Sequence, residues 1–276
     1  MKKRNVLHSP RLQELKKKRR KTLLVKFIFF GVGFLVVLAG LAYVSRTEKL
    51  NISEVEITGN KIVDTEMIRA AAQEEITGSY LWFLPKTNIL LYPKGNIRDA
   101  LSDKFKRLKG ISITTRDDRI LQISVAERIP KYMWCGENLP ESGANIETCY
   151  FLDETGFVFD EAPYFSGEVY FKFYGKMSSN FKSLILFKQT LEAMKLEPVA
   201  LYMMENGEIK MYLSDESSLP MGPEIIFKTD SDLEKIAENL QAALTTEPLQ
   251  SDFKNKYSSL LYIDLRYGNK VYYKFK

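Results

Sequence analysis

From Phe27 to Val44 the chain reads FIFFGVGFLVVLAGLAYV, 18 residues without a charge. Nothing else in the sequence constrains the fold as strongly, because a helix of about 20 apolar residues spans a bilayer. Leu23, Leu24 and Val25 extend the run past Lys26, whose long stem lets its ammonium snorkel to the interface. The block LKKKRRK, Leu15 to Lys21, precedes the run, while Arg46, Glu48 and Lys49 follow it. By the positive-inside rule this asymmetry puts the N-terminus in the cytoplasm and residues 45–276 outside. A cleaved signal peptide would have an apolar region of about 7–15 residues and a small-residue cleavage site, and LAYVSR is a poor one. The expectation is a basic cytoplasmic tail over 1–22 and a retained transmembrane helix over 23–44 in the lipid bilayer.

Charge then limits the outer part. Residues 1–44 hold 11 of the 40 Lys/Arg and one of the 35 Asp/Glu residues, so residues 45–276 carry 29 basic and 34 acidic groups, near −5. A nucleic-acid-binding domain calls for the opposite sign, so no nucleic-acid partner is expected. The basic block is explained by topology. The single histidine, His8, lies on the cytoplasmic side. Beyond the membrane no Ser-His-Asp or Cys-His set and no His/Cys zinc site can be assembled. Carboxylate-pair or Ser-Lys chemistry remains formally open, but no set of residues meets the geometry of a catalytic site. No cofactor, metal or catalytic residue is expected.

Along the outer part, ISEVEIT (52–58) alternates as a strand does, and Gly59-Asn60 signals a turn. Asp64 reads as the N-cap of a helix over TEMIRAAAQEE. An aromatic loop, residues 79–95, follows. Asn96 would cap a second helix, with Ile97, Leu101, Phe105 and Leu108 in one stripe and Gly110 as its stop. Two strands, 111–116 and 120–127, flank a tight turn at 117–119. The order β-α-α-β-β suits a small α+β domain. After Pro130 the pattern becomes short strands with two or three helices: 181–197, closed by Pro198, and one opened by a capping box at Ser231–Glu234. Asn206-Gly207 marks a hairpin, and a terminal strand ends the chain. This part is expected to be a mostly antiparallel meander. Trp82 and Trp134 are expected to serve packing. Cys135 and Cys149 would lie on neighbouring antiparallel strands outside the membrane and form a disulfide, the alternative being two buried thiols.

In this order VEITGN (55–60), AERIPKYMW (126–134), FLDETGFVF (151–159) and YIDLRYGN (262–269) resemble the FtsQ/DivIB family of bacterial division proteins, and the resemblance runs from end to end. Residues 219–222 also resemble that family's apolar-Gly step. The loop over 79–95 is longer than a minimal domain of this kind needs, and the cysteine pair is not a general family feature. The resemblance implies an α+β chain: one transmembrane helix, a POTRA domain over 45–130 and an FtsQ-type β domain over 131–276. It implies a septal divisome adaptor without chemistry of its own. Such an adaptor binds FtsB and FtsL, meets FtsK in some bacteria, and helps control peptidoglycan synthesis by the FtsW/FtsI pair. Alternatives are a POTRA-containing transport or assembly factor, or an extracytoplasmic wall enzyme.

Glu127, Arg128 and Pro130 read as an interdomain joint, with Glu127-Arg128 as a surface ion pair in the plainer reading. Asp264 and Arg266 would share one face of their strand, and Ile263, Leu265 and Tyr267 the other, toward the core. The final strand would be a sheet edge with Val271, Tyr273 and Phe275 on one face and Tyr272, Lys274 and Lys276 on the other. The resemblance implies that FtsB docks here, on Tyr267, Gly268, Val271, Tyr272, Tyr273, Lys274 and Phe275, by strand addition.

Overall fold

The computed structural model describes residues 10–117, 119–140, 148–177, 180–214 and 222–276. His8, Asp118, the centre of the loop between the cysteines and residues 219–221 lie outside the described residues. The chain is α+β, with one long N-terminal helix and two compact units, residues 1–127 and 128–276.

The first unit begins with α1, Pro10–Ser45. Its apolar residues are exposed all round, Phe27, Phe29, Phe34 and Val36 among them. A helix apolar on every side needs an apolar medium, and α1 is long and apolar enough to cross a membrane. It continues unbroken through the basic block, so residues 10–22 are helical.

After it come β1 (Glu54–Thr58), α2 (Thr65–Ile76), a small hairpin of β2 (Ser79–Tyr80) and β3 (Leu84–Pro85), then α3 (Lys94–Lys104), β4 (Leu108–Arg116) and β5 (Ile120–Glu127). The sheet order is β1-β5-β4, with β1 parallel and β4 antiparallel to β5. Asp64 caps α2, its carboxylate accepting the Met67 N–H at 3.0 Å. Ile68, Ala72, Ile97 and Leu101 from the two helices meet Ile113, Leu121 and Ile123 in one core. The second helix departs from the sequence expectation: it starts after Pro93 and ends at Lys104. Phe105 and Leu108 still enter the core, which is why helical spacing persisted past the helix. Gly110, expected as a helix stop, instead sits in β4 at φ +70° where the register slips between Lys109 and Ile111. A bulge takes glycine at such a left-handed position.

The second unit contains β6 (Tyr132–Trp134), β7 (Tyr150–Leu152), β8 (Val158–Glu161), β9 (Lys172–Gly175), α4 (Phe181–Ala193), β10 (Pro198–Met203), β11 (Glu208–Leu213), β12 (Glu224–Lys228), α5 (Leu233–Leu244), α6 (Leu249–Lys256), β13 (Leu260–Tyr267) and β14 (Lys270–Phe275). They form one nine-stranded sheet, ordered β14-β13-β12-β11-β10-β9-β6-β7-β8. It is mostly antiparallel, but β6/β9, β9/β10 and β12/β13 are parallel. A simple meander is thereby corrected. α4 links β9 to β10, and α5 with α6 links β12 to β13, and a connection through a helix returns the chain in the same direction.

Alternation divides these strands between two faces. Phe173, Leu201, Met211, Phe227 and Ile263 pack with Phe187 and Leu191 of α4 and Leu240 of α5. Phe151, Phe159, Tyr174 and Tyr212 form a smaller cluster with Met133 and the two cysteines. The cap of α5 is Asp232, accepting from the Lys235 N–H, while the Ser231 hydroxyl accepts from the Lys228 N–H.

Cys135 and Cys149 are bonded; Cys135 follows Trp134 of β6 and Cys149 precedes Tyr150 of β7, the residue paired with Trp134. The cysteines are 14 residues apart. Closing a loop of about 15 residues removes roughly 3 kcal/mol of unfolded-state entropy in the chain-entropy model. Reducing the bond is therefore expected to lower the unfolding free energy of residues 46–276 by about that amount. Urea titrations with and without reductant measure it.

Candidate partner-docking edge

β14 is the last strand in the order of the sheet, and among the described residues β13 is its only neighbour there. The two run antiparallel, with Ile263 opposite Tyr273 and Asp264 opposite Tyr272. Gly268-Asn269 forms the two-residue turn between the facing Tyr267 and Lys270. Gly268 has φ +66°, the sign that a II′ hairpin turn takes at its first central residue. Asn239 of α5 donates to the Gly268 carbonyl at 3.3 Å.

The side chains of β14 alternate as its sequence implies. Val271, Tyr273 and Phe275 are half-buried against the main core, and Lys270, Tyr272 and Lys274 face solvent. Tyr267, the last residue of β13, breaks the alternation expected of that strand. It is exposed rather than buried with Ile263 and Leu265, because the β13–β14 register shifts between Asp264 and Tyr267. A one-residue slip turns a side chain to the other face. Tyr267 there meets Tyr272 edge to face, with centroids 5.4 Å apart.

Behind this edge Asp264 is buried, and Arg266 donates to it from Nε at 2.9 Å and Nη2 at 2.6 Å. Nη1 of Arg266 reaches Glu208 on β11. Burial alone would raise the Asp264 carboxyl, but the bonds from Arg266 outweigh it and hold it below the usual range. The same guanidinium lowers Glu208 and is itself raised. Asp264 and Arg266 thus anchor β13 internally and leave β14 as the surface.

Glu127 and Arg128 face different ways, and the division between the units falls between them. The Glu127 carboxylate accepts backbone N–H groups of Lys61, Ile62 and Val63 at 2.7, 2.9 and 2.9 Å. Its burial is outweighed by these bonds, and its acidity is increased. Those amides follow Gly59, at φ +90°, where a Cβ would lie 2.1 Å from the Val125 carbonyl oxygen. The VEITGN stretch and Glu127 of AERIPKYMW meet at this turn.

Arg128 turns to Asp153 and lies 3.9 Å from the centroid of the Phe157 ring. Asp153, only 2% exposed, also accepts from Thr155 N at 2.8 Å, Thr155 Oγ1 at 2.6 Å and Phe157 N at 3.1 Å. Gly156 completes the turn at φ +85°, with no room for a Cβ against the Phe181 ring. The reading of Glu127-Arg128 as a mutual surface pair is replaced by two separate ties, one in each unit. Pro130 is half-buried. Sequence reasoning did not single out Asp153, although FLDETG marks an acid-led turn.

Burial would raise the Asp153 carboxyl, but the bonds from Thr155, Phe157 and Arg128 lower it. A carboxylate with a depressed folded value stabilises fully above its unfolded value, near 4, and loses that contribution as pH falls through the folded value. Residues 46–276 are therefore expected to lose urea resistance below about pH 4, and D153N, weaker at neutral pH, is expected to show a shallower acid slope. Urea midpoints between pH 7 and pH 2 measure both slopes.

No protein-family model matches the chain, and no curated protein matches it.

Proposed function

We propose that this chain is a single-pass divisome adaptor of the FtsQ/DivIB kind, with its N-terminus cytoplasmic and both units outside the membrane at the septum. On this reading the three-stranded unit with α2 and α3 is a POTRA domain, serving recruitment, through FtsK in some bacteria. The nine-stranded unit is the β domain that holds FtsB and FtsL and so helps regulate the FtsW/FtsI synthase. One observation carries the reading: a sheet in a chain with a membrane-length helix ends on an edge strand whose exposed face carries Lys270, Tyr272 and Lys274. Edge lysines discourage indiscriminate pairing while leaving backbone donors and acceptors open to a selected strand.

The chain is read as acting by binding alone. Its one histidine is His8, and both cysteines are engaged in a disulfide. The test is a pull-down of crosslinked membrane proteins from dividing cells that carry the full chain or a chain ending at Asn269. The full chain is expected to retain FtsB- and FtsL-type proteins, and the truncated chain to lose them while staying folded by circular dichroism. Equal recovery by a folded truncation contradicts the proposal. Turnover of peptidoglycan by purified residues 46–276 would favour the wall-enzyme reading instead.

A further inference from the structure

Trp82 is 94% exposed, and the preceding Leu81 is 77% exposed. They form the tip of the β2–β3 hairpin, closed by the Phe83 N–H donating to the Tyr80 carbonyl at 3.2 Å. The expectation that Trp82 serves core or loop packing is thus corrected. Both tip residues have left-handed backbones, φ +47° and +70°, although neither is glycine. Such a conformation is costly for a bulky residue and points to a role for the tip.

The hairpin that carries this tip is joined to the membrane-length helix. The Ser45 carbonyl, at the C-terminus of α1, accepts from the side-chain amides of Asn51 at 2.9 Å and Asn88 at 3.0 Å. Asn88 is buried, and the chain pairs around it: Ile52 N–H donates to the Thr87 carbonyl at 2.8 Å and Ile89 N–H to the Leu50 carbonyl at 2.9 Å. α1 also packs against β3. The hairpin is therefore tied, through β3 and the segment after it, to α1, whose last apolar residues, Tyr43 and Val44, are exposed. Leu90, on the other side of Asn88, is 78% exposed. Lys86 lies 5.9 Å from the centroid of the Tyr80 ring on the same hairpin, and Arg46 and Lys49 follow the helix.

We propose that the β2–β3 hairpin is a second membrane contact, inserting Leu81 and Trp82 into the interfacial layer of the leaflet from which α1 emerges. Tryptophan and tyrosine partition to that layer, and the neighbouring lysines and arginine suit its phosphates. The first unit is then seated on the lipid surface at two points. The inference rests on α1 spanning the bilayer, and the test separates the two claims.

The full chain is reconstituted in phosphatidylcholine/phosphatidylglycerol vesicles with acyl chains brominated either near the glycerol or near the methyl end. Trp134 is the only other tryptophan, so the emission of W82F is subtracted from that of the wild type. Shallow bromines are expected to quench the Trp82 difference signal about twofold, and deep bromines less, as an interfacial indole requires. A Phe34→Trp reporter in the W82F background, midway along the apolar run, is expected to show the reverse order. If the Phe34→Trp reporter is quenched and Trp82 is not, the hairpin contact is refuted while the span stands. If neither is quenched, both the span and the contact fall.

Discussion

Arg128→Ala is expected to lower the stability of residues 46–276 by about 3 kcal/mol, because removing one partner of a buried ion pair strands the other charge. Asp153 is 2% exposed and Arg128 sits over Phe157 besides pairing with it, so the substitution removes a charge and a stacked side chain together. The three other hydrogen bonds to Asp153 keep the loss at the lower end of the range for such pairs. Arg128→Lys is expected to recover only part of it, since an ammonium lacks the planar group that lies on the ring. Urea unfolding, or a melting temperature roughly 6–12 °C lower, measures the loss. A change of a few tenths of a kcal/mol would show instead that the pair behaves as an exposed one.

The parts legible in the sequence were those set by local pattern. The membrane-length helix follows from an uncharged apolar run. The β14 alternation follows from Val271-Tyr-Tyr-Lys-Phe275, because side chains in a strand point to opposite faces in turn. What escaped was decided by contacts distant in sequence. Arg128 and Asp153 are 25 residues apart, and nothing local says which acid Arg128 will find. Parallel and antiparallel strands share the same period of two, so the pairing of β9 with β10 had no sequence signature of its own. Leu108 continued the stripe of α3 because the core on that side also receives β4. Tyr267 was misplaced by a register shift, and Trp82 by a left-handed turn that none of its residue types announces.

The second large effect concerns the edge. Adjacent residues of an edge strand turn their N–H groups alternately into the sheet and outward. Tyr272→Pro and Tyr273→Pro therefore remove, one each, an inward and an outward donor. Both are expected to leave most of the nine-stranded unit folded. The variant that loses the outward N–H is expected to weaken FtsB binding at least about tenfold, since it takes away a partner hydrogen bond and sets a ring against the incoming strand. Division in cells carrying that variant is expected to fail. The inward variant is expected to show its effect first in stability, through the β13–β14 ladder. Titration of the extracytoplasmic FtsB segment against each folded variant separates the two.

The most direct measurement is amide hydrogen exchange of residues 46–276 with and without that segment. If a strand adds to β14, the amides of Lys270 to Phe275 that point outward gain protection on binding, and those already paired with β13 change little. Protection confined to β8 at the opposite edge, or to the three-stranded unit, with β14 exchanging as it does alone, would contradict the account.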